Sequence, residues 1–272
     1  LKNLLLRFIS GTVFITLVIG SILLGPLYFT FLVLVFSFIG LNEYIQLSPY
    51  FIKNTKEKII LIGSGLIVFT SISMVKIDML PVNYIYLCLS GFFPPLLYVL
   101  SSKYKKPLEV MSGFIFGIIY IALPFALIPS FFFLNNSKIE NSELLIGFFI
   151  ILWSNDVFAY IIGSLIGRVK LYKRVSPNKT LEGTIGGITF SILSAFIISK
   201  FFLSIDTINW LALGFLISIF ATLGDLIESL LKRQASVKDS GNIMPGHGGV
   251  LDRFDGVIFA IPVVYIYLSI IY

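Results

Sequence analysis

Between its charged residues the chain reads as a succession of long apolar runs separated by short polar, mostly basic segments. The first run, residues 8–42, holds 35 residues without a charge. As one helix it would extend about 52 Å, far beyond a hydrocarbon core of about 30 Å. Gly25-Pro26 lies near its middle and predicts a turn between two shorter spans. Further runs cover 59–75, 79–102, 110–137, 144–167, 183–200, 207–231 and 256–272. A crossing takes roughly 17–25 residues, so the pattern predicts an all-α, polytopic integral membrane protein of about nine transmembrane helices.

Lysine and arginine then set the direction of insertion. With the N-terminus in the cytoplasm, the inside segments hold Lys2 and Arg7; Lys53, Lys56 and Lys58; Lys103, Lys105 and Lys106; Arg168, Lys170, Lys173, Arg174 and Lys179; and Lys232, Arg233, Lys238 and Arg253. Only Lys76, Lys138 and Lys200 fall outside, so 17 of the 20 basic residues sort to one side. A missed or extra crossing would invert every later loop and destroy that sorting. The expected topology is N-terminus cytoplasmic and C-terminus outside, in the cell membrane. A cleaved signal peptide is the alternative for the first segment, but no small-residue cleavage site follows cleanly and the chain stays apolar.

Composition agrees with the spans. Hydrophobic residues make up 57% and charged residues 12%, against about 25% charged in soluble folds, which excludes an ordinary water-soluble domain. The single cysteine, Cys88, rules out an intramolecular disulfide and any multi-cysteine metal site. One histidine, His247, is present, and the net charge of +6 by itself fits nucleic acid, anionic lipid or an anionic substrate.

The acids break the uniformity. Up to about residue 140 they occur only at Glu43, Glu57, Asp78, Glu109 and Glu140, near predicted span ends or in loops, and nothing there points to chemistry. In the second half Asp156, Asp225 and Glu228 sit within apolar spans, and Asp252 and Asp255 begin the last one. A carboxylate at bilayer depth costs a few kcal/mol and normally faces a bundle interior with a partner and a function. With the topology above, all five can converge at the cytoplasmic end of the membrane. Asp225/Glu228 and Asp252/Asp255 are each three apart, one pair per helix face. Carboxylates in that arrangement suit a hard divalent cation such as Mg²⁺. The plainer alternative is ion pairing, of Glu228 with Lys232 and of Asp252 or Asp255 with Arg253 or Lys238.

Two loops flank these acids. Residues 167–183 carry five Lys or Arg between 168 and 179, then Ser176-Pro177, Thr180, Glu182, Gly183, Gly186 and Gly187. This reads as a turn entering a helix whose first amides favour a phosphate. Gly163/Gly167 and Gly183/Gly187 are better read as helix-packing pairs. The second loop, 232–252, holds Lys238-Asp239 and the run Pro-Gly-His-Gly-Gly ending at Gly249, where the backbone can approach a ligand closely.

At these residues the chain resembles the phosphatidate cytidylyltransferases, also called CDP-diacylglycerol synthases. Their signature reads Ser-x-x-Lys-Arg, four residues, Lys-Asp, then His-Gly-Gly, two residues, Asp-Arg-x-Asp. It is matched at Ser229, Lys232, Arg233, Lys238, Asp239, His247, Gly248, Gly249, Asp252, Arg253 and Asp255. Upstream, Asn155-Asp156 with Tyr160 and Gly163, and the stretch from Ser176 to Gly183, are similar too; Asn178, Leu181 and Met244 depart from the family's usual residues. The motifs cover about 150–256, and hydropathy alone supports the rest.

The resemblance implies transfer of CMP from CTP to phosphatidate, with Mg²⁺, at the cytoplasmic face. It implies metal binding by Asp225 and Asp252, joined by Glu228, Asp255 and Asp156, and a catalytic group of Lys232, Lys238, Asp239, His247 and Arg253. Substrate contacts would come from Asn155, Tyr160, Ser176, Lys179, Thr180, Glu182, Gly183, Ser229, Arg233, Gly248 and Gly249. Residues 1–140 would be scaffold and lipid access, and 141–272 the catalytic region with loops 168–182 and 232–252. Nucleic acid drops out as a partner, and a homodimer stays open. Rival readings are another CTP-using lipid enzyme, such as a polyprenol kinase, and a secondary transporter, which would call for midplane acids and an internal repeat; no repeat is evident.

Overall fold

The computed structural model describes all residues except 1, 49–50, 134–141, 245 and 247, with side chains from Ile9 onward. Among the described residues nine helical segments follow one another: α1 (Lys2–Leu24), α2 (Pro26–Leu47), α3 (Thr55–Lys76), α4 (Val82–Ser101), α5 (Pro107–Phe133), α6 (Glu143–Ile166), α7 (Leu181–Ile198), α8 (Thr207–Gln234) and α9 (Leu251–Ile271). Eight are long and apolar enough to cross a bilayer, and α1 adds an apolar stretch over Ile9–Leu24. The protein is a multi-pass membrane protein. His247, Glu140 and Lys138, singled out above, lie outside the described residues.

The predicted turn between the first two spans is present. Gly25 has φ +112°, open to glycine, and Pro26 starts α2 where its missing N–H is no loss. Several bounds differ from the hydropathy reading, three of them near the acids. Helix α8 runs three residues past 231, α9 begins five residues before 256, and α7 begins two before 183, because backbone hydrogen bonding continues helices into polar residues at the membrane edge. The loop 167–183 also contains structure that hydropathy does not signal. Lys170–Tyr172 (β1) and Ser176–Thr180 (β2) form an antiparallel hairpin.

Helix α5 is irregular in its middle, α-helical to Gly117, a π turn over Ile118–Ala122, then α and 3₁₀ to Phe133. Pro124 explains this, since it cannot donate to the carbonyl four residues back, at Tyr120, and its ring crowds that carbonyl. The first half packs on the second through large rings. Phe254, 1% exposed in the first turn of α9, lies 5.7 Å from Phe14, 5.1 Å from Phe36 and 5.0 Å from Phe125 between ring centres. Helices α6 to α9 instead approach through small residues. A Cβ on Gly183 would meet the Cα of Gly163 at 3.0 Å, and one on Gly187 would meet Asn155 Oδ1 at 2.7 Å, which bears out the packing role expected of these glycines.

Cross-contacts gather the alternate connections at one end of the bundle. Tyr104, between α4 and α5, donates to Glu57 at the start of α3. Arg233 Nε donates to Val175 O in the hairpin at 3.5 Å. Burial and the adjacent Glu57 carboxylate push the Tyr104 hydroxyl well above its ordinary pKa, so it remains a donor at neutral pH.

Candidate active site

Helices α8 and α9 cross where Gly224 meets Asp255 and Gly256. A Cβ on Gly224 would collide with the Asp255 carbonyl, and the Gly256 Cα is 3.2 Å from that position. This near-contact of two backbones is what lets short acidic side chains from different helices meet. Asp225, Glu228 and Asp255 each bring one carboxylate oxygen within 4.8 Å of the others. Glu228 is 0% exposed; it pairs with Lys232 through one oxygen and leaves Oε1 without a hydrogen-bond partner. Three hard oxygen donors, one buried with an unused lone pair, fit a divalent cation.

Lysines surround the trio. Lys179, carried in from β2, pairs with Asp225, and Ser229 Oγ donates to Asp225 Oδ1 at 3.2 Å. Lys232 pairs with Glu228 and, at 2.7 Å, with Asp252. The expected Glu228–Lys232 ion pair is therefore real and belongs to a larger network. Asp252 stands apart from the trio. Its Oδ2 accepts from Ser240 N (2.9 Å), Ser240 Oγ (2.8 Å) and Gly249 N (2.7 Å), so it holds the 239–250 segment against the start of α9.

Two cavities adjoin here and share Asp156 and Tyr160 in their walls. The smaller, about 450 Å³, lies among α6, β2, α7 and α8 and is lined by Asn155, Lys179, Thr180, Gly183 and Asp225 with others. The larger, about 960 Å³, opens under the last loop and is lined by Lys238, Asp239, Gly248 and Arg253 with others. Asp156 is within electrostatic reach of Asp225, Lys179 and Arg253. Gly248 adopts φ +84°, as a residue free of a Cβ can.

Other residues expected at the site make structural contacts, Thr180 while also lining the smaller cavity. Glu182 accepts from Val169 N at 3.1 Å and closes the base of the hairpin. Thr180 caps α7 by accepting from Gly183 N at 3.2 Å, so that amide is already used. Ser176 sits on the hairpin, lining neither cavity, and exposed Arg233 reaches Val175. Gly249 is buried against Asp252 and α2.

Two residues of the first half reach this region, against the expectation that nothing there points to chemistry. Glu43, 3% exposed near the end of α2, accepts from Val250 N (2.9 Å) and Leu251 N (2.8 Å) at the start of α9. Its signal was an acid inside a stretch that stays apolar at Tyr44, Ile45 and Leu47, with no basic residue within a helical turn. Tyr120, 4% exposed in the π turn of α5, has a hydroxyl with no hydrogen-bond partner, within electrostatic reach of Glu228, Asp255 and Asp225. The proline four residues on was its only local signal.

These features define a class, a multi-pass membrane protein with a buried three-carboxylate site able to hold a divalent cation beside two cavities. The chain belongs to the cytidylyltransferase family, whose model matches residues 5–271. It is similar to phosphatidate cytidylyltransferases of Bacillus subtilis (47% identical over 122 residues, 44% of this chain and 45% of the relative), Staphylococcus haemolyticus (48% over 122 residues, 44% and 46%) and Staphylococcus aureus (41% over 140 residues, 51% and 54%). The chain thus matches about half the length of these curated relatives. The resemblance drawn from the motifs is borne out at the level of the family.

Proposed function

We propose that the protein transfers CMP from CTP to phosphatidate, giving CDP-diacylglycerol and pyrophosphate for phospholipid synthesis. The observation that carries this reading is the buried trio of Asp225, Glu228 and Asp255 beside Lys179 and Lys232, in a chain of the cytidylyltransferase family. The names of its relatives support the choice of substrates.

The phosphatidate phosphate is already anionic near neutral pH, so its oxygen needs no strong base. That oxygen forms a bond to the α-phosphorus of CTP. The bond from this phosphorus to the oxygen bridging the β-phosphate breaks, and pyrophosphate leaves with the electron pair. Such a reaction asks the protein for charge neutralisation and in-line placement. Asp225, Glu228 and Asp255 would hold Mg²⁺, with Asp156 and Asp252 orienting nearby groups. Bound Mg²⁺ supplies charge neutralisation for phosphate oxygens. Lys179, Thr180 and Asn155 in the smaller cavity suit the lipid phosphate. Lys238, Asp239, Arg253 and the Gly248 backbone in the larger one suit the triphosphate, with His247 and Gly249 on the same segment. Lys232 pairs with both Glu228 and Asp252 and holds them in place, and the Tyr120 hydroxyl is a free donor toward the trio.

In this reading the N-terminus and the site are cytoplasmic and the C-terminus is outside, as the sorting of basic residues favours. Residues 1–140 form the scaffold and lipid access, and 141–272 the catalytic region. Nucleic acid is no partner, and a second copy of the chain is the remaining macromolecular candidate. The test is purified protein with phosphatidate in detergent micelles, Mg²⁺ and each nucleoside triphosphate in turn. CTP labelled at the α-phosphate should label the lipid and release pyrophosphate. Labelling only from the γ-phosphate would mark a lipid kinase, and no lipid product with CTP would overturn the proposal.

A further inference from the structure

Glu43 is separated from its partners by about 200 residues of sequence, yet its carboxylate ties Ser240 to the start of α9. Oε1 accepts from Val250 N at 2.9 Å, and Oε2 accepts from Leu251 N at 2.8 Å and from Ser240 Oγ at 3.1 Å. Helix α9 has no capping side chain of its own at Val250. The orphan amides of its first turn are therefore satisfied in trans, by an anion placed where the helix dipole favours one. The segment is wrapped closely around this carboxylate. A Cβ on Gly241 would come within 2.9 Å of Glu43 Cδ, and one on Gly249 within 2.5 Å. The same Ser240 hydroxyl lies 2.8 Å from Asp252 Oδ2, so its one proton is shared between the two carboxylates, and Asp252 contacts Lys232, which pairs with Glu228. One chain of polar contacts thus runs from α2 to the carboxylate trio.

We propose that Glu43 is a positioning residue for the active site: it fixes Ser240 and the first turn of α9 and, through Ser240, the Asp252–Lys232–Glu228 network that orients the metal-binding carboxylates. The proposal rests on the function argued above. A carboxylate is needed because every group directed at its two oxygens is a donor; an amide would set an NH₂ against a backbone N–H. Removing a group that orients ligands typically costs 10–100-fold in metal affinity or activity.

The experiment compares wild type with Glu43→Gln, Ser240→Ala and the control Glu109→Gln, which removes an exposed acid paired with Lys106. The first readout is the Mg²⁺ concentration for half-maximal CDP-lipid formation at saturating CTP and phosphatidate. Glu43→Gln should raise it about tenfold or more, Ser240→Ala less but in the same direction, and Glu109→Gln should leave it unchanged. The second readout needs no activity. Trypsin should cut Glu43→Gln faster after Arg233 or Lys238 but not after Lys53 or Lys103. An unchanged Mg²⁺ requirement, or faster cleavage at all these sites together, would mean that Glu43 only supports the fold and overturns the proposal. If Glu43→Gln does not purify folded, Ser240→Ala decides by the same criteria. If wild type itself makes no CDP-lipid, the function fails, while the cleavage pattern still judges the role of Glu43.

Discussion

The first and second halves of this membrane bundle are packed by different means. From α1 to α5, large rings and branched side chains dominate, with Phe29 on Phe132, Phe14 on Phe36, and Phe69 and Phe114 fully buried, and one close backbone approach, of Gly91 to Ser64. From α6 to α9, glycines and other small residues let backbones nearly touch, at Gly163 with Gly183, Gly214 with Ser191 and Gly224 with Asp255. The three acids of the trio are all in the second half. A short carboxylate reaches a neighbour on another helix only where the helix axes come close, and a seam of Phe and Leu side chains holds them apart. The first half packs on α9 through Phe254. It sends two polar groups across, Glu43 and Tyr120.

The contrast can be broken most severely at the trio. Asp255→Asn should lower CDP-lipid formation by about 100-fold or more, since loss of a proposed metal ligand should cost at least as much as loss of the groups that orient it; added Mg²⁺ should restore little. Activity within a few-fold of wild type would remove Asp255 from the metal site. Next, Gly224→Ala should destabilise the protein by about 1–3 kcal/mol, as overpacked contacts do, with activity lost alongside. Gly20→Ala and Gly63→Ala, which have nothing within 4 Å, should be neutral or slightly stabilising by the gain in helix propensity. Thermal unfolding in detergent separates the two outcomes, and equal effects at Gly224 and at these two open sites would refute the close helix approach at Gly224.

Tyr120→Phe sharpens the comparison from the scaffold side. Its hydroxyl has no partner, so its loss should not lower the unfolding temperature. Turnover should nevertheless drop about tenfold if the group serves the trio; unchanged turnover would return Tyr120 to the scaffold. The smallest effect is expected for Tyr104→Phe, which removes one of the donors to Glu57. It should cost about 1 kcal/mol of stability with no change in Mg²⁺ requirement, because that cluster joins loops remote from the carboxylates in the chain of contacts.

Much of the fold was legible locally. Hydropathy sums over about 20 residues without reference to any other part of the chain, so the spans, the break at Gly25-Pro26 and the acids lying within helices could all be read residue by residue. The spaced motif from Ser229 to Asp255 likewise pointed to the family without a structure. The hairpin at 170–180 was not legible, since its strands are short and polar and are held by Glu182 and Arg233 rather than by an apolar pattern.

The sequence by itself determined that this is a membrane bundle with charges concentrated around the ends of its later helices. Only the tertiary structure decided which charges meet. Spacing treated Asp225/Glu228 and Asp252/Asp255 as two equal pairs, yet three of the four share a site with Asp252 turned toward Ser240 and Gly249. The reason is that helical spacing fixes the face a side chain occupies on its own helix, whereas meeting across helices depends on rotation and crossing distance. Those are set by contacts as distant along the chain as Gly224 to Gly256 and Glu43 to Leu251.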